Sequence, residues 1–215
     1  MPFDPVWLIV VSATLGLLPL FLIMATSYVK IVVVLMLVRN ALGVQQIPPQ
    51  MVINALAMIM SIFIMAPVGS DMMDRLNREQ NLQSLQPMEL FEVADRVSPP
   101  LKEFLVKNTD ERVSEMFVST AERIWPEKMH SSISKENWSI VIPAFTITEL
   151  TKAFQIGFVL YLAFLAIDLI ISNILLAMGM MMVSPTTISL PFKLLLFVTL
   201  DGWLKLTQGL LLSYQ

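Results

Sequence analysis

The chain is 215 residues long, 56% hydrophobic and only 14% charged, with a mean hydropathy of +0.72, which is far too apolar for an ordinary soluble domain and places it in or against a membrane. A formal charge of -3 without any Lys/Arg run excludes a nucleic-acid surface, which needs clustered positive charge. The absence of cysteine excludes disulfides and thiolate metal or redox sites, and the single histidine, His130, has no histidine neighbour with which to form a ligand set.

Residues 1–7 (MPFDPVW) lack the positive region of a cleaved signal peptide, so the first apolar stretch is expected to be retained. That stretch, residues 6–38, carries only Pro19 and Lys30 as interruptions. As a helix it would be roughly 50 Å long against a hydrocarbon core of about 30 Å, so it must tilt, kink at Pro19 or project beyond the bilayer. Gly43 then ends a helix and Pro48 and Pro49 stop its continuation. A second apolar, methionine-rich helix over 52–68 completes an N-terminal hairpin, residues 1–69.

Residues 70–138 differ in kind. Thirteen acidic and nine basic residues fall between Asp71 and Glu136, and without the Lys/Arg excess of short cytoplasmic loops the segment is expected outside the cytoplasm. Apolar residues recur at helical spacing in Leu90, Phe91, Ala94 and Val97 and again in Leu101, Phe104 and Leu105. Amphipathic helices separated at Pro99 and Pro100 follow, with a third from about 111 to 124.

Residues 139–215 form a C-terminal hairpin. Its first arm, 140–177, carries Pro143, Glu149, Lys152 and Asp168 and would be roughly 55 Å long as one helix. Glu149 and Lys152 are three apart and can pair on one helical face, whereas Asp168 has no basic residue at three or four positions in either direction and must be neutralised or find a cation elsewhere. The second arm, 188–212, holds Asp201 and Lys205 at pairing distance and Lys193 without an acid at three or four. Glu149, Asp168 and Lys193 are thus candidate inter-helix or inter-subunit partners. Gly202 and Gly209, seven apart, would let a neighbour approach one face. Between the arms, Met178, Gly179, Met180, Met181 and Met182 run up to Pro185. Glycine and proline favour a turn there. Unbranched, polarizable methionines could close an opening and yield around a passing chain, though a greasy turn between helices is equally compatible with these residues alone.

Residues 39–49 (RNALGVQQIPP), 143–150 (PAFTITEL), 154–158 (FQIGF), 167–169 (IDL), 176–185 (LAMGMMMVSP) and 190–203 (LPFKLLLFVTLDGW) resemble the export-apparatus subunit shared by bacterial type III secretion systems and flagella, called SctR in injectisomes and FliP in flagella. The resemblance covers both hairpins, lies closer to the injectisome branch, and touches 70–138 mainly by position. It implies an all-α, membrane-associated, non-enzymatic core subunit of the export gate: two long kinked hydrophobic hairpins flanking an amphipathic extracytoplasmic segment, without a cofactor or metal. It further implies a homopentamer joined to subunits of the SctS and SctT classes, in the inner membrane with the assembly partly at periplasmic height. Unfolded secreted substrates would enter through the portal, the methionines would line its constriction, and Glu149 would pair with Lys193 between neighbouring subunits. Two other readings fit the residues: a small proton-coupled transporter using Glu149, Lys152 and Asp168, and a structural scaffold that seats other subunits. No nucleophile-base pair, phosphate loop or metal set favours an enzyme.

Overall fold

A computed structural model describes residues 12, 16, 17, 19–44, 46–78 and 87–215. Among them the chain is all-α, with no strand. The helices are α1 (Tyr28–Leu42), α2 (Gln50–Arg78), α3 (Pro87–Val97), α4 (Pro99–Asn108), α5 (Glu111–Ile124), a 3-10 helix (Glu127–Ser132), α6 (Trp138–Ala177), α7 (Pro185–Thr199) and α8 (Gly202–Leu212). Two of them, α2 and α6, are long and apolar enough to cross a membrane, and the bent pair α7 and α8 would make a third span if taken together. The start of the first apolar stretch and residues 79–86 lie outside the described residues. Within the described part of that stretch the helix is interrupted at 25–27, where the Ala25 N–H closes the preceding turn on the Phe21 carbonyl at 2.8 Å.

The described residues fall into two compact units. The first joins those up to 29 with 65–149. Its core is Ala25, Leu105, Val141 and Phe145, with Leu101, Phe104, Trp138 and Ile142 packed against it. Phe104 tilts against Phe145 at 5.9 Å and Phe21 against Trp138 at 6.2 Å. The pro-rich boundary falls where expected: α3 ends at Val97, and Pro99 and Pro100 occupy the first turn of α4, where their missing N–H groups need no helical acceptor. Asp110 caps α5 by accepting the Arg112 N–H at 2.9 Å. Its own N–H donates to Thr148 Oγ1 at 3.1 Å, and that hydroxyl donates to the Ala144 carbonyl at 2.8 Å, so the start of α5 is tied to α6. His130 donates to the Trp125 carbonyl at 3.0 Å and serves to fold the connection.

Two exposed charge groups in this unit carry a pH dependence of known sign. The Arg112 guanidinium and backbone N–H hold the Asp110 carboxyl below its ordinary value of 3.8. Its contribution is therefore present above that value and is lost as the pH falls through the depressed one. Hydrogen bonds from Lys135 to Glu111 at 3.1 Å and to Glu115 at 3.4 Å raise the lysine above 10.5, so that contribution is full below 10.5 and fades as pH rises further. Circular dichroism against pH should show the acid-side loss of helix shrink in Asp110→Asn and persist in Lys135→Gln. An unchanged acid limb in Asp110→Asn would remove the cap from the account.

The second unit joins residues 30–64 with 150–215. Ile31, Val34, Leu35 and Val38 recur at three- and four-residue steps and form the buried stripe of α1, as Ile53, Ala57 and Met60 do on α2. Gly43, with φ +77°, ends α1, and the Arg39 guanidinium donates to the Pro48 carbonyl at 3.4 Å across the connection, whose Ile47-Pro48 bond is cis. Gly157 is buried against Leu37 so closely that a Cβ would overlap Leu37 Cδ1. Gly157→Ala should therefore cost about 1–3 kcal/mol through overpacking, and adding Leu37→Ala should recover part of it. Thermal unfolding of the two variants checks this, and a neutral Gly157→Ala would show that Leu37 moves freely.

The second C-terminal arm departs from the single helix expected over 188–212. It breaks between α7 and α8 with a bend of 60°. Asp201 adopts a left-handed conformation (φ +52°), which aspartate tolerates better than most residues. Gly202 admits the Phe197 ring where a Cβ would clash, and Phe197 meets Trp203 edge-on at 5.3 Å. Gly202 thus receives a side chain of its own chain, whereas nothing lies within 4 Å of the Cβ position at Gly209.

Candidate functional site

The site is built on the α6 and α7 arms of the second unit. α6 runs unbroken for 40 residues through Pro143, about 60 Å at 1.5 Å per residue. Its end is set by Gly179, whose φ of +73° turns the chain back. The Met180 N–H reaches the Leu175 carbonyl at 2.9 Å and the Gly179 N–H the Leu176 carbonyl at 3.0 Å. These two crossed bonds satisfy carbonyls that the end of a helix leaves open. Ser184 then precedes Pro185 at the start of α7.

The turn leaves its methionines outside. Met182 is 100% exposed, Met181 81%, Met178 67% and Met180 40%. Nothing lies within 4 Å of the Cβ position at Gly179, so its constraint is backbone conformation alone. Gly179→Ala should lose about 1–2 kcal/mol from the left-handed penalty, while Gly179→Asn should lose less, because asparagine enters that region more readily. A turn that tolerated alanine without change in thermal stability would mean the chain can leave α6 another way.

Below the turn lies a polar tie. Lys193 of α7 donates to Asp168 Oδ2 of α6 at 2.6 Å and to the Ala41 carbonyl, near the end of α1, at 3.2 Å. Ser189 donates to Asp168 Oδ1 at 2.5 Å and is itself buried. The Lys193 side chain is 6% and the Asp168 side chain 23% exposed. A carboxylate held by an ammonium and a hydroxyl, with the ammonium also on a carbonyl, is a charge pair whose polar capacity is largely used inside the fold. It fixes α6 against α7 in register, and so fixes the turn, which begins ten residues beyond Asp168 and ends five before Ser189.

The structure therefore brings Asp168 and Lys193 together within one chain and draws in Ser189 and the Ala41 carbonyl, neither of which the charge pattern singled out. Glu149 is fully buried on α6 in the first unit, and Lys152, one turn on, is half-buried. Asp201 is exposed, and the ion pair expected with Lys205 is not formed. In its left-handed conformation Asp201 stands at the head of α8, where its carbonyl accepts the Lys205 N–H at 3.0 Å. Sequence reading also passed over Lys30, which is buried on α1 with Nζ 3.5 Å from the centre of the Tyr214 ring. The signal for Lys30 was present, as a cation inside an apolar stretch. Tyr214 carried none. Among the described residues no group of His, Cys, Asp and Glu could hold a metal ion.

The sequence matches the FliP family over residues 11–210. It is 51% identical over 212 residues to Yop proteins translocation protein R of Yersinia pestis, covering 98% of this chain and 97% of that protein. It is 47% identical over 209 residues to Hypersensitivity response secretion protein HrcR of Ralstonia nicotianae, covering 97% and 96%. With Virulence protein YscR of Salmonella typhimurium it shares 46% identity over 203 residues, 94% of each chain. The matched region contains the whole of the methionine turn and the Asp168, Ser189 and Lys193 tie, and on its extent the chain belongs to the FliP family.

Proposed function

We infer that this chain is a membrane-embedded subunit of a type III protein secretion apparatus, and that its copies form an export portal with the methionine turn at the constriction. The observation that carries the reading is the turn itself: two almost fully exposed methionines project from a helix end that is locked by backbone bonds and held in register by the partly buried Lys193–Asp168 ion pair. The backbone cap would suit any helix end, whereas a turn that only joined two helices would not need a row of exposed thioethers. Thioethers suit the task because they are apolar enough to exclude ions and flexible enough to repack around an unfolded chain.

An oligomer is supported by what the chain leaves uncovered. Only 11% of the most apolar window of α6 and 22% of that of α2 is buried within the chain, so lipid or other subunits must cover the rest. A homopentamer completed by subunits of the SctS and SctT classes supplies that cover. In that assembly Lys193 would also lie within reach of Glu149 of a neighbouring copy, in competition with its own Asp168. The inner membrane is the compartment, with segment 70–138 on the periplasmic side.

The lack of native cysteine makes the test direct. Met181→Cys should form an adduct with a secretion substrate stalled in export in intact cells. Cross-links only to neighbouring helices or lipid would make the turn a packing element and defeat the constriction.

A further inference from the structure

Every cysteine-free chain leaves methionine as its softest oxidisable side chain, and here four exposed methionines share a single turn. Met182 and Met181 are 100% and 81% exposed, with Met178 and Met180 beside them on the same turn, whereas Met60 is 3% exposed in the α2 core stripe. Met51 and Met58 are exposed too, but on α2, one of the helices apolar enough to cross a membrane, where lipid or a partner subunit would shield them from an aqueous oxidant. Met24, Met73, Met116 and Met129 are exposed in the first unit as well, but at four separate places and each only about half exposed.

We propose that the methionine turn is an oxidation site at which hydroperoxides convert the seal from apolar to polar. The thioether sulfur attacks the terminal oxygen of the peroxide. The O–O bond breaks as the S–O bond forms, the proton of that oxygen passes to the departing one, and hydrogen peroxide leaves as water. Sulfur loses two electrons and the peroxide gains them. The sulfoxide that results is a strong acceptor on a side chain that had none of comparable strength, and methionine sulfoxide reductases return it to the thioether. Four such groups on one turn, repeated in every copy, would draw water into a constriction that is kept closed by its dryness. The functional half of this inference rests on the constriction reading above. The chemical half rests on exposure alone.

The test treats the assembled, vesicle-reconstituted complex containing this chain with hydrogen peroxide and reads two things. Peptide mass spectrometry should find sulfoxide at Met181 and Met182 forming at least about tenfold faster than at Met60. Ion leak should rise several-fold, fall again after treatment with both epimer-specific reductases, and stay flat in the variant Met178→Leu, Met180→Leu, Met181→Leu, Met182→Leu, which keeps an apolar turn without sulfur. Equal oxidation rates at Met60 and Met182, or full oxidation of the turn without added leak, would overturn the proposal. Untreated Met180→Ala, Met181→Ala, Met182→Ala complex separates the two readings. If it leaks while oxidised wild type does not, the constriction stands and the oxidation switch falls. If neither leaks, the constriction reading fails, and the switch falls with it.

Discussion

Replacing Lys193 with methionine is expected to destabilise the chain by about 3–5 kcal/mol, because it leaves the Asp168 carboxylate in an apolar setting with only the Ser189 hydroxyl as a partner. The Ala41 carbonyl loses its donor in the same step. Much of the loss is the penalty of an uncompensated group rather than the worth of the pair. The double variant Asp168→Leu, Lys193→Met should therefore recover most of it. Denaturant titration of the purified chain in detergent reads the stability, and the yield of assembled complex reads its consequence. The same series distinguishes the two acids open to Lys193. If the pair within the chain dominates, Asp168→Asn reproduces the loss and Glu149→Gln leaves stability of the isolated chain nearer to wild type. If a neighbouring copy's Glu149 were the main partner, Asp168→Asn would be nearly silent in the assembly and Glu149→Gln would not. A stable, fully assembling Lys193→Met would defeat both.

The pair also shows what the residues alone could and could not decide. Asp168 and Lys193 each lack an opposite charge at helical spacing, and that was enough to predict partners on other helices. It left three candidates, because choosing among them requires the register of α6 against α7. That register is set by the turn geometry and by contacts spread over uniformly apolar surfaces. Such helices give no amphipathic contrast from which to read the buried face. In α4 the apolar steps Leu101, Phe104 and Leu105 could be read from the sequence, and those residues do reach the core of the first unit. In α6 the buried face could not be read in this way.

Breaks behaved the same way. Gly43 and the prolines at 48 and 49 ended and restarted helices where their backbone preferences require. The interruptions at 25–27 and at Asp201 sit in sequence that continues an apolar helical pattern. Asp201 can enter the left-handed region but does not have to, so its choice is made by Phe197 packing on Gly202. The grouping of 30–64 with 150–215 likewise brings together stretches separated by the charged segment. No local signal encodes that association.

Shortening the turn is the variant in which structure and function should part company most clearly. Met181 and Met182 are almost wholly exposed, and the bonds that hold the turn come from the Met180 and Gly179 N–H groups, which the alanine variant retains. Met180→Ala, Met181→Ala, Met182→Ala should thus leave thermal stability and assembly close to wild type, since exposed substitutions of this kind usually change stability by no more than about 0.5 kcal/mol. Ion leak through the reconstituted complex should nevertheless rise on the order of tenfold, because a hydrophobic constriction excludes ions only while it is narrow enough to stay dry. Leucine at the same three positions keeps the bulk and should restore the seal. It should also slow passage of substrate, since branched side chains repack less readily than methionine. Leak and export therefore move in opposite directions across the alanine and leucine variants if the turn is a yielding seal. If leucine and alanine behaved alike in both assays, the side chains at the turn would have no part in closing the portal, and its anchoring by Asp168 and Lys193 would serve packing alone.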